Sequence, residues 1–100
     1  GAVDERLQHL LEEALAALPA EPSPLRARVL ARLAIELSYA AGLERASGLS
    51  RAAVAMARDA GDPATLAFAL SASHLTGLAS EAPGRQIAIA TEMVQAAEQA

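Results

Sequence analysis

Two histidines, His9 and His74, are the only imidazoles in the chain, which has no cysteine and no lysine. Metal binding needs three or four converging ligands. His9 has Glu12 and Glu13 nearby, but the Glu-x-x-His spacing of di-iron bundles is absent, so His9 reads as a solvated surface residue. Ser71, Ser73 and His74 combine hydroxyls with an imidazole. Neighbours one and two apart on a helix do not face each other, however, and no acidic residue stands nearby to orient the imidazole. His74 is expected inside the protein, hydrogen-bonded to a carbonyl or a serine, and Ser71 is expected to bond the carbonyl four residues back. Glu12, Glu13, Asp59 and Asp62 serve solubility and helix capping, because no pair of them lies in an apolar setting that would separate their acidities. A phosphate-binding GxxxxGK[ST] loop is excluded, since there is no lysine to reach a phosphate. The expectation is therefore a chain that is not an enzyme, with no catalytic, cofactor or metal site.

Composition narrows the class further. Of 100 residues, 53% are apolar and 20% charged, which is globular rather than disordered. Alanine supplies 27 residues and leucine 15, whereas Tyr39 and Phe68 are the only aromatics, so helix is favoured throughout and strand almost excluded. A net charge of −4 argues against nucleic acid and anionic membranes as partners, since both reward a concentrated positive field. Residues 63–80 carry no formal charge between Pro63 and Ser80, but their serines, threonine, histidine and glycine dilute them below a membrane span. The absence of cysteine fits a reducing cytoplasm.

Five helices follow from apolar spacings of three and four, over 3–18, 24–41, 43–60, 63–79 and 84–99. Ser23-Pro24 and Asp62-Pro63 each place a capping side chain before a proline at the first helical position, where the missing N–H costs nothing. Gly42 and Gly61 are suited to end the helices that precede them. Gly48 inside the third helix suggests a close helix crossing or a local irregularity, the crossing being favoured. The fourth helix lacks a charged face and belongs in the middle of a packed set, as the most buried element.

The chain also repeats itself. A shift of forty residues lays Arg45, Leu49, Val54 and Ala57 over Arg85, Ile89, Val94 and Ala97, and a shift of thirty-nine lays Leu7, Leu11 and Ala14 over Ala46, Ser50 and Ala53. Two helices per period of about forty is the mark of an α-solenoid, with a half repeat over 3–18 and repeats over 24–61 and 63–100. The fold expected is all-α, antiparallel hairpins stacked as a short tetratricopeptide-like solenoid, excerpted from a larger protein.

Leu30, Leu33, Ala34, Leu37, Ala46 and Ala53 stand at the small and large positions of the tetratricopeptide motif. Ser50 replaces a large residue, Gln86 replaces a small alanine, and the units exceed the standard length. With these departures, and with the phrases Ser23-Pro24-Leu25-Arg26-Ala27-Arg28 and Ala60-Gly61-Asp62-Pro63, the chain resembles the degenerate helical-repeat region of large bacterial ATP-dependent regulators of the LuxR or MalT-like type. That resemblance implies a noncatalytic, cytoplasmic interaction or effector-sensing module of a transcriptional regulator. Its groove positions, carried over one by one, are Arg28, Ile35 and Tyr39 from the second helix and Phe68, Ser71 and Leu75 from the fourth. Protein partners are expected through neighbouring domains or self-association by the end helices, with a small effector or peptide in the groove. The alternative expectation is a free-standing ligand-binding bundle or enzyme with its pocket near His74 and Tyr39. Ile35 and Phe68 also read as plain core.

Overall fold

A computed structural model of the chain describes residues 2–39, 43–77 and 83–100. They form five helices, α1 (Ala2–Ala17), α2 (Pro24–Ser38), α3 (Leu43–Ala60), α4 (Pro63–Gly77) and α5 (Pro83–Gln99), and no strand occurs among the described residues. The local signals act as elementary capping chemistry requires. Ser23 takes an extended backbone and accepts the N–H of Arg26 on its hydroxyl at 3.1 Å, with Pro24 opening the helix. Asp62 repeats this before Pro63, its carboxylate receiving the N–H groups of Ala64 and Thr65. Gly61 has φ of +68° and bonds back to Ala57 and Arg58, the left-handed stop that closes α3 without a β-carbon penalty.

The helices make two layers in a slab of 34 × 30 × 18 Å, whose thin dimension is close to two helix diameters. In one layer α2 and α4 pack directly on each other. In the other, α1, α3 and α5 lie side by side without backbone contact between them, each seated on α2 or α4. Among the described residues α2 and α4 each have three neighbours at backbone distance, α4 meeting α2, α3 and α5, whereas at that distance α1 approaches only α2 and α5 only α4. This order of antiparallel hairpins is the stack expected from the repeat. Nine of the thirteen buried apolar residues are alanine, and the cluster of Ala27, Ala31, Ala53, Ala57, Ala69 and Ala72 around Leu30 lets three helices approach closely. A second cluster of Leu33, Leu37 and Ala46 is covered by Leu11, Leu15 and Leu49, which fastens α1 to the hairpin.

Polar ties supplement these contacts. The hydroxyls of Ser50 and Thr76 meet at 3.0 Å in the interior, joining α3 to α4 where a large apolar residue is usual. Arg45 reaches Glu12 at 2.8 Å, and Arg58 forms a two-pronged pair with Glu92, so each outer helix is pinned to α3 by one exposed ion pair. Arg32 and Glu36 pair within α2 at 2.9 Å, as their spacing predicts.

Three expectations need correction. The first helix stops at Ala17 rather than Leu18, although the N–H of Leu18 still reaches the Ala14 carbonyl at 2.9 Å before Pro19 ends the pattern. The second stops at Ser38, because the Tyr39 N–H turns back to the Glu36 carbonyl in a tighter, three-residue bond; Ala41 and the proposed stop at Gly42 lie outside the described residues. The end of the fourth helix beyond Gly77, up to Ala79, lies outside them too.

Gly48 is the third correction. It marks no helix crossing: it is exposed inside a continuous helix, and a β-carbon there would meet nothing within 4 Å. Nothing in the structure explains a glycine at this position. Gly48→Ala is accordingly expected to stabilise the fold by about 0.5 to 1 kcal/mol, through helix propensity alone, and to raise the melting temperature by about 4 °C in circular dichroism. A lowered melting temperature would restore the idea of a close approach at this site.

Candidate functional site

The six expected groove residues differ in their surroundings. Ile35 and Phe68 are half-buried and pack against the alanine cluster, so their part is mainly structural. Ser71 is occupied locally, its hydroxyl donating at 2.6 Å to the Phe68 carbonyl three residues back rather than to the one four back. Leu75 is half-buried, whereas Tyr39 is 75% exposed at the end of α2. Arg28 is the most engaged of the six. Its Nε donates to Thr65 Oγ1 at 2.9 Å, Thr65 donates to a carboxylate oxygen of Asp62, and the Arg28 guanidinium lies 3.6 Å from that oxygen. This triangle ties the start of α4 to α2 and sets the angle between successive repeats.

His9 is exposed, as expected. His74 is half-buried, and its Nδ1 is enclosed with no hydrogen-bond partner among the described residues, so the expected carbonyl or serine is not found at that atom. The Ser71 hydroxyl bonds the Phe68 carbonyl instead. No group of three or more His, Cys, Asp or Glu residues that could hold a metal ion occurs among the described residues, and no described helix is long and apolar enough to cross a membrane. Neither Tyr39 nor His74 lines the two described cavities.

The larger of these, about 340 Å³, lies in the other layer, between α3 and α5 over α4. Arg51, Val54, Ala55 and Arg58 face it from α3, at the spacing of three and four that defines one helical face. From α5 come Arg85, Ile89 and Glu92 at the same spacing, and from α4 Leu70 and Ser73. The floor is apolar, with Leu70 buried and Val54 and Ile89 half-buried, and the arginines stand exposed around the mouth. The paired carboxylate of Glu92 holds the Arg58 guanidinium above its ordinary pKa, chiefly through their hydrogen bonds. A smaller cavity of about 130 Å³ adjoins it near Gly61 and Leu66 and also includes Arg58. No groove on this side was expected from the sequence. The signal was present in the joint spacing of Arg51 with Arg58 and of Arg85 with Ile89 and Glu92, but it points to a site only once α3 and α5 are known to be neighbours.

Hydrogen bonding from Thr65, with further help from the Arg28 charge and the backbone of α4, holds the Asp62 carboxyl below the usual carboxylate range. A folded-state pKa that is depressed contributes stability above the unfolded value and loses it as pH falls through the folded one. Asp62→Ala should therefore melt below the parent chain at pH 7, with the gap narrowing as pH is taken below about 4. A gap that stays constant through acid would remove the carboxylate charge as its source.

Comparison of the chain with protein-family models, curated proteins and solved structures finds no match to any of them.

Proposed function

We propose that this chain is a noncatalytic helical-repeat module that works by contact, docking further helical hairpins on its outer faces and sensing an effector, as the repeat region of a bacterial cytoplasmic transcriptional regulator does. The observation that carries the reading is the state of the two end helices. Each packs on only one other helix at backbone distance, and each leaves large apolar side chains in water: Leu10 on α1, and Ile87 and Val94 on α5. Ile87 and Val94 are seven residues apart and share one face of α5, as a seam for a partner helix requires. Solenoid units bury such faces only against the next unit. The resemblance to bacterial regulators supports the same role, and the absence of cysteine suits a reducing compartment.

The occupant we assign to the α5 face is another hairpin of the same kind, which for the isolated chain is a second copy. Sedimentation at high concentration should show self-association. The double variant Ile87→Asp/Val94→Asp should weaken it by about tenfold or more while leaving the melting temperature unchanged, because both side chains are exposed. A parent chain that stays monomeric at high concentration overturns the assignment.

A further inference from the structure

The charges around the cavity between α3 and α5 decide what it can hold. Arg58 is held by Glu92 in a two-pronged pair, and Arg51 and Arg85 have interactions of their own. Every charged residue that lines the space is thus already engaged. A carboxylate or an ammonium entering it must break one of these interactions or lie unbalanced against the apolar floor, and either costs free energy. The cavity is therefore closed to ions of both signs.

Beneath the mouth one polar group is in a different state. Ser73 is only 9% exposed and lines the space beside Leu70. Ser38, Ser50 and Ser71 each donate to the carbonyl three residues back in their own helix. The Ser73 hydroxyl makes no such bond among the described residues; only its backbone carbonyl is used, by the Thr76 hydroxyl at 3.3 Å. Its oxygen is not sealed off as the His74 Nδ1 and the Gln86 amide are, so it is reached from the cavity. A hydroxyl nine-tenths buried without a partner carries a cost that a single polar atom on a ligand removes.

Size sets the rest. A dry apolar cavity of about 150 Å³ takes a benzene ring. The space here is about 340 Å³, which on that scale holds roughly a dozen non-hydrogen atoms.

We infer that the space between α3 and α5 is a binding site for a small neutral aliphatic alcohol, its chain on Val54, Leu70 and Ile89 and its oxygen on the Ser73 hydroxyl. An alcohol can both donate to and accept from serine, whereas a carbonyl can only accept. The inference rests on the effector-sensing part of the proposed function and names the effector's class.

Titration with 1-hexanol at pH 7, followed on the methyl resonances of Val54, Leu70 and Ile89, tests it, with hexanoate and hexylamine as charged counterparts of the same chain. 1-Hexanol should saturate at one per chain and shift those methyls, while the two ions bind about tenfold or more weakly. Ser73→Ala should weaken 1-hexanol about fivefold, the loss of one neutral hydrogen bond, and should melt no lower than the parent, because its hydroxyl has no partner to lose. Ala55→Phe, at an exposed position on the cavity wall, should abolish binding by filling the mouth. Melting curves show whether each variant folds, and if one does not, the other together with the charged counterparts decides. Hexanoate or hexylamine binding as tightly as 1-hexanol, shifts confined to other methyls, no saturation, or binding that Ser73→Ala leaves unchanged overturns the site. Sedimentation of the same parent chain separates the two proposals: self-association without 1-hexanol binding sinks the ligand site alone, whereas 1-hexanol binding by a chain that never associates sinks the docking face alone.

Discussion

The structure depends on how closely its helices can approach each other. With alanine as most of the buried apolar set, each residue removes little surface from water, so a useful contact exists only where backbones come near enough for many small side chains to touch at once. The Ala27, Ala31, Ala53, Ala57, Ala69 and Ala72 cluster meets that condition for α2, α3 and α4 together. Everything outside it is held more lightly. The first helix is held by a patch of leucines and one exposed ion pair, and α5 by one helical neighbour and another. Exposed pairs of this kind contribute at most about 1 kcal/mol each.

Orientation is then a matter of polar geometry rather than of burial. Small residues allow two helices to slide and rotate with little change in contact area, so something directional must select one arrangement. At the junction of α2 and α4 this is the Arg28, Thr65 and Asp62 triangle, and between α3 and α4 it is the hydroxyl pair of Ser50 and Thr76. A buried hydroxyl pair adds only about 1 kcal/mol. Its larger effect is on specificity, because sliding α3 along α4 by one residue would leave both hydroxyls without their partner.

Much of the fold was legible in the sequence because its signals are local. Helix periodicity, Ser23-Pro24, Gly61-Asp62-Pro63 and the uncharged fourth helix each predict a feature that depends on residues within a turn or two. The departures share a cause. Gly48 was read as a crossing because glycine in a helix normally needs a reason, yet the reason must come from a neighbouring helix, and none lies there. The partner of Ser71 differs by one residue because a hydroxyl on a helix can reach either of two carbonyls, and only the side-chain rotation decides. The expected groove on α2 and α4 rests on resemblance alone, and two of its members, Ile35 and Phe68, lie against the core. The cavity on the opposite layer was illegible from any single stretch, since it needs residues from three helices, and its arginines read separately as a solvated face.

Departures from the repeat consensus carry more information here than agreement with it. Ser50 and Gln86 look like decay of a motif when each is read alone. In three dimensions Ser50, in the repeat over 24–61, bonds Thr76 of the next repeat, and Gln86, in the repeat over 63–100, has its amide atoms enclosed without a partner among the described residues. The α5 helix has two distinct faces. Arg85, Ile89 and Glu92 look into the cavity, and Ile87 and Val94 look away from it. Both Arg58 and Glu92, whose ion pair ties α5 to α3, line the cavity. Among the described residues α5 approaches only α4 at backbone distance, so this pair is what fixes its position against α3 and with it the direction in which Ile87 and Val94 face.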